Sequence, residues 1–176
     1  MSLSLRELLL LSQKEGEAEF VWQVPPFVLI RKHKPRPSWG GATRAITNKT
    51  RTGEIEDELF VNPELLEAIF PPLGASGGSR ELSIGRLEDN DLVLDEASVS
   101  LHHALVAWDA SSSRARITDF TSTNGVALNG KPLDAAADVL LSDGDVLSLG
   151  EVHLRYFTAK ALYRVLRDLP QDGALW

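Results

Sequence analysis

The chain has no cysteine. That excludes disulfides and thiolate metal sites, and it fits a reducing compartment. Nor is there any run approaching the ~20 apolar residues that span a bilayer. The apolar stretch Leu8 to Leu11 is too short for the h-region of a secretory signal, and Arg6-Glu7 stands directly before it, so a cytoplasmic protein with no membrane contact is expected. Basic residues are in deficit: 18 Lys and Arg face 25 Asp and Glu, for a net charge of -7. General affinity for nucleic acid is therefore not expected. What is present is a globular composition, 43% hydrophobic over 176 residues, sufficient for one solid core and a small appendage.

The first part of the chain alternates helical and irregular signals. Ser4-Leu5-Arg6-Glu7 reads as a capping box, Leu5, Leu8, Leu9 and Leu11 give the helix an apolar face, and Gly16 ends it. Such a helix must dock, and its own domain is the expected surface. After Pro25-Pro26, the run Phe27-Val28-Leu29-Ile30 reads as a strand buried on both faces. Residues 31–53 then carry seven Lys or Arg and no acid, with frequent Pro, Gly and Thr; a solvated loop is expected. Thr43, Thr47, Thr50 and Thr52 in it are candidate phosphorylation sites, through which self-association could follow. Asn62-Pro63-Glu64 reads as the start of a second helix, with Leu65, Leu66, Ile69 and Phe70 as its apolar face. Gly74 to Gly78 reads as a linker.

From Arg80 the pattern is all-β: short apolar runs separated by Asp89-Asn90, Asp109 to Ser113, Asn129-Gly130, Asp143-Gly144 and Gly150. Asn129-Gly130 predicts a tight hairpin. Val146 to Leu149 and Val152 to Phe157 predict another, with Val152, Leu154 and Tyr156 on one face. Thr158 caps a last helix carrying Leu162, Val165, Leu166 and Leu169 at helical spacing.

Within this β region stand Gly85-Arg86, Ser100-Leu101-His102-His103 and Ser122-Thr123-Asn124-Gly125, with Asn90 to Leu94 and Leu141 to Asp145 as flanks. An arginine fork matches phosphate oxygens, hydroxyls add neutral donors, and an asparagine offers both a donor and an acceptor to a peptide backbone. The set and its order resemble the FHA (forkhead-associated) domain family over Arg80 to Phe157. The resemblance implies a mainly β fold, a two-sheet β-sandwich, here with short peripheral helices at both termini and in an insertion. It divides the chain into a helical extension (1–24), a first strand with basic loop and short helix (25–79), an FHA core (80–157), and a helix with tail (158–176).

It also implies function. Arg86 and Ser100 contact a phosphothreonine phosphate. Thr123 holds the loop surface or reaches the phosphate, and Asn124 bonds the peptide main chain. Gly85, His103 and Gly125 are architectural. The position after the serine is often Arg or Asn in the family; here it is Leu101, which offers only its backbone N–H. The position sometimes used to read residues after the phosphothreonine is Ser98. The expected protein is an adaptor in a Ser/Thr kinase pathway, binding a phosphothreonine-containing protein or peptide, with no enzymatic activity, cofactor or metal. The alternative, motivated by Leu101, is a degenerate FHA fold acting as a phosphate-independent scaffold.

Other motifs fail on context. Gly125 to Pro132 approaches a P-loop, but Pro132 stands where the Mg²⁺-binding hydroxyl must be. Gly74 to Gly78 matches a nucleophile elbow but follows Pro71-Pro72 in place of a buried strand. His102 and His103 are neighbours whose side chains diverge in an extended segment, so they do not share a metal.

Overall fold

The computed structural model describes residues 2–32, 66–69, 80–134 and 136–168. Among these residues twelve strands form two sheets. β1 (Ser2–Ser4), β3 (Leu66–Ile69), β2 (Phe27–Lys32), β12 (Val152–Thr158), β11 (Val146–Leu149), β8 (Val126–Leu128) and β9 (Lys131–Pro132) make the first, in that spatial order. The second runs β10 (Asp138–Leu140), β7 (Arg114–Asp119), β6 (Ala104–Asp109), β4 (Arg80–Gly85) and β5 (Leu92–Val93). Among the described residues three helices accompany them: α1 (Leu5–Lys14), α2 (Glu17–Gln23) and α3 (Ala159–Asp168).

The run Phe27 to Ile30 is buried on both faces, as its continuous apolar character requires. Phe27 and Leu29 enter the core between the sheets, where Phe27 packs against Trp108 and Tyr156 at ring-centroid distances of 6.0 and 5.7 Å. Val28 and Ile30 face the other way, into a second core with Leu8, Phe20, Leu162 and Leu166. The terminal helices therefore form a third layer outside the first sheet. Each fully buried Leu or Phe there contributes about 1.5–3 kcal/mol. The Thr158 cap is present, with Ala161 N–H donating to its Oγ1 at 3.3 Å.

The short turns follow their local chemistry. Asn129 and Gly130 take φ of 52° and 76°, a pair of left-handed residues that matches strand twist in a two-residue hairpin. Val152, Leu154 and Tyr156 all enter the inter-sheet core. At the β6–β7 turn, Asp109 accepts from Ser111 Oγ, Ser112 Oγ and Ser111 N–H, which holds its carboxyl down to about 2.

Two expectations need correction. The helix expected from Asn62 is, over Leu66–Ile69, a strand. It pairs with β2 from Leu29↔Ile69 to Lys32↔Leu66 and with β1 on its other side. Backbone pairing along the open edge of β2 outweighs a helical pattern too short to specify itself. Arg31 and Lys32, expected in the basic loop, extend β2 for the same reason. Gly16 ends α1, but a second helix, α2, follows at once and buries Phe20. The rest of the basic stretch with its threonines, the start of the expected insertion helix, the Gly74 to Gly78 linker and the tail after Asp168 lie outside the described residues.

Candidate functional site

Strand register collects four connections at one end of the sandwich. Ile84 pairs with Ala104, and Ala104 with Asp119, so the segments after β4, before β6 and after β7 leave the second sheet together. In the first sheet, Leu149 lies between Val126 and Val152, which brings the start of β8 beside the β11–β12 turn. The Asp109 turn is at the opposite end of β6.

Arg86 follows directly on β4. Its N–H donates to Ser100 O at 2.9 Å, and its Nε donates to Val99 O at 3.3 Å. The side chain is exposed, and its terminal nitrogens have no partner among the described residues. Gly85 has no room for a Cβ, which would overlap Leu101 O and lie 2.8 Å from Asn90 Nδ2. Asn90, 7% exposed, donates from Nδ2 to Leu87 O at 2.8 Å and Leu101 O at 2.9 Å. It thereby closes the turn after Arg86 and fastens it to the Ser100 segment.

His103 is completely buried. Its Nδ1 accepts the Ser100 N–H at 3.0 Å, and its Nε2 lies 3.1 Å from Gly125 O. An Nδ1 that accepts leaves the proton on Nε2, so Nε2 donates to the carbonyl and the imidazole is neutral in this arrangement. One ring thus joins the loop before β6 to the loop before β8. His102 diverges from it: half-exposed, its Nδ1 lies 3.2 Å from Asn90 Oδ1 and its Nε2 3.8 Å from Asp89 Oδ2.

Thr123 and Asn124 reach the same place. Thr123 N–H donates to Ser100 Oγ at 2.9 Å, and Asn124 Nδ2 donates to Ser98 O at 2.8 Å. Gly125 has φ of 74°, the left-handed region that an L side chain disfavours. Asp119, nearly buried, holds Ser122 N–H at 2.9 Å, and Phe120 N–H donates to His103 O at 2.9 Å. Leu101 turns its side chain outward, 48% exposed.

The structure brings all eight sequence-nominated residues into one hydrogen-bonded set of loops. The bracing roles of Asn90, Asp119 and Ser98, and that of Gly150, where a Cβ would overlap Ser98 O, were not assigned from the sequence. Asn90 and Asp119 act partly or wholly within their own turns, Asn90 on Leu87 O and Asp119 on the Ser122 N–H three residues on; Ser98 and Gly150 act across distant segments that only the fold brings together. The electrostatics are lopsided. Arg86 is the one cation on these four connections, against Glu88, Asp89, Asp91, Asp95, Glu96 and Glu151. Glu96 is partly neutralised by Arg31 at 3.3 Å. Asp91 is held by Ser83 N–H and Oγ.

The FHA domain family model matches residues 82–150. The chain is similar to the ABC transporter ATP-binding/permease protein Rv1747 of Mycobacterium tuberculosis, 42% identical over 107 residues, which covers 60% of this chain and 11% of that protein. It is also similar to the glycogen accumulation regulator GarA of the same organism, 33% identical over 91 residues, covering 48% of this chain and 53% of that protein. Among solved structures, Mycobacterium tuberculosis EmbR in complex with a low affinity phosphopeptide overlaps at 35% identity and a TM-score of 0.40, over 44% of this chain and 20% of that one. The chain thus spans between a tenth and about half of the curated relatives it matches.

Proposed function

With residues 82–150 identified as an FHA domain, we propose that this protein is a phosphothreonine-peptide adaptor in Ser/Thr kinase signalling, acting in the cytoplasm. One observation carries the reading: an exposed arginine, anchored only through its Nε, stands among donors with no partner among the described residues. These are the Arg86 terminal nitrogens, the Ser100 and Thr123 hydroxyl protons and the Leu101 N–H. Charge-assisted bonds from a guanidinium to a phosphate dianion are the strongest such a surface makes, and recognition of phosphorylated motifs by arginine sites is a known mode.

The roles follow from the bonds. Arg86 supplies the charge. Ser100 is held from behind by His103 and donates its hydroxyl proton outward. Asn124, its amide fixed by Ser98 O, offers Oδ1 and its second amide proton to the peptide main chain. Leu101 contributes its N–H. None of these steps makes or breaks a covalent bond.

A second reading has one observation in its favour. Leu101 presents an exposed apolar side chain where a charged one would add a phosphate contact. A phosphate-independent scaffold would use that surface for apolar contact. Pools of matched phosphorylated and unphosphorylated peptides, randomised around one threonine, separate the two. The adaptor retains only phosphorylated members; the scaffold retains both alike.

A further inference from the structure

Ser98 stands two residues before Ser100, yet its polar atoms are turned toward the protein. Its carbonyl oxygen accepts Asn124 Nδ2 at 2.8 Å, and its Oγ accepts the Glu151 N–H at 2.9 Å. Gly150 lies against the same residue: a Cβ there would overlap Ser98 O and sit 2.7 Å from Ser98 C and Cβ. Gly150 also has φ of 60°, so the turn needs glycine on two counts.

Asn124 is exposed, and the bond to Ser98 O is the one its side chain makes among the described residues. An exposed carboxamide is otherwise free to rotate by half a turn. Rotation would set Oδ1 against the Ser98 carbonyl, two acceptors face to face with no proton between them. The Ser98 carbonyl therefore selects the orientation in which Oδ1 faces outward as an acceptor. Its own position is fixed from behind by the close approach of Gly150 and by the bond from Glu151.

We propose that Ser98 is a positioning residue for ligand binding, orienting the Asn124 amide, and that the β11–β12 turn at Gly150-Glu151 is the support through which it does so. This rests on the reading of Asn124 as the clamp on the peptide main chain. At this position the chain builds the clamp instead of reading a side chain of the ligand. The turn lies more than twenty residues downstream of Asn124 and touches the ligand nowhere in this scheme.

The test is a double-mutant cycle in the full chain. The probe is a phosphothreonine peptide drawn from a pool randomised at its flanking positions. Ser98→Ala removes the acceptor for Glu151 N–H and should weaken binding roughly 3- to 10-fold. Gly150→Ala, which pushes on Ser98 directly, should do the same. In an Asn124→Ala background neither change should cause further loss, because the group they orient is gone. Circular dichroism melting of each variant verifies folding, and the Asn124 side-chain amide resonances in the free protein should shift in both single variants. Equal losses with and without Asn124, or no loss in either single variant while phosphate-dependent binding persists, overturns the positioning role and leaves the phosphate site standing. A wild-type chain that binds phosphorylated and unphosphorylated probes alike overturns the underlying reading instead.

Discussion

His103 accepts the Ser100 N–H on Nδ1 at 3.0 Å, and through Nε2 it holds the loop that carries Asn124. A buried ring with two used nitrogens makes these loops one body. Under the proposed reading, peptide contacts on Ser100 and Asn124 need no separate ordering of each loop, which lowers the entropic cost of binding.

Replacing that ring has consequences for both fold and binding. His103→Ala leaves a cavity and strands the Ser100 N–H and Gly125 O, which costs about 2–4 kcal/mol. Thermal unfolding should move down by roughly 5–15 °C, and affinity for phosphopeptide should fall with it. An unchanged melting temperature would show that the loops hold together without the imidazole.

Leu101→Arg should tighten phosphothreonine binding roughly 10-fold by adding a charged phosphate contact. The exposed position of Leu101 means that the longer side chain displaces only solvent. Fluorescence anisotropy on one labelled peptide measures the gain. A loss of affinity would mean that the leucine itself contacts the ligand.

The acidic rim gives a charge prediction. Glu88 and Asp95 are exposed on the connections that flank Arg86 and Ser100. Peptides with Lys beside the phosphothreonine should bind roughly 3- to 10-fold tighter than peptides with Glu there, since each exposed pair contributes about 0.2–1 kcal/mol. The difference should shrink as salt is raised past physiological strength. Equal affinities at low salt would remove the rim from the account.

Phosphothreonine should be preferred over phosphoserine, as family resemblance implies. One buried methyl is worth about 0.8 kcal/mol, or roughly 4-fold. Competition between otherwise identical peptides measures it, and equal inhibition constants would contradict it.

The sequence announced some of this structure and concealed the rest, for reasons that lie in the reach of each interaction. Asn129-Gly130 is its own hairpin signal, since the turn needs only the left-handed conformations those two residues tolerate. Phe27 to Ile30 announced two buried faces by having no polar alternation. Leu66–Ile69 gave no such notice: its partners are Leu29 to Lys32 and Ser2 to Ser4, far away in the chain, and a Leu-Glu-Ala-Ile segment satisfies helix and strand equally well. Likewise Arg86, Ser100 and Asn124 stood out as residue types suited to phosphate and peptide. What orients Asn124 is a serine carbonyl backed by Gly150, and a backbone atom held by a distant turn leaves no signature in composition or spacing.

Arg86 is the centre of the account, and calorimetric titration of wild type and Arg86→Ala with matched phosphorylated and unphosphorylated threonine peptides tests it most directly. The side chain is exposed and makes a single bond among the described residues, through Nε, so the variant should stay folded, with stability within roughly 0.5 kcal/mol of wild type. Wild type should bind only the phosphorylated peptide, and Arg86→Ala should lose at least roughly 10- to 150-fold of that affinity, the worth of a charge-assisted bond. A folded Arg86→Ala variant that binds the phosphorylated peptide as tightly as wild type would contradict the central claim.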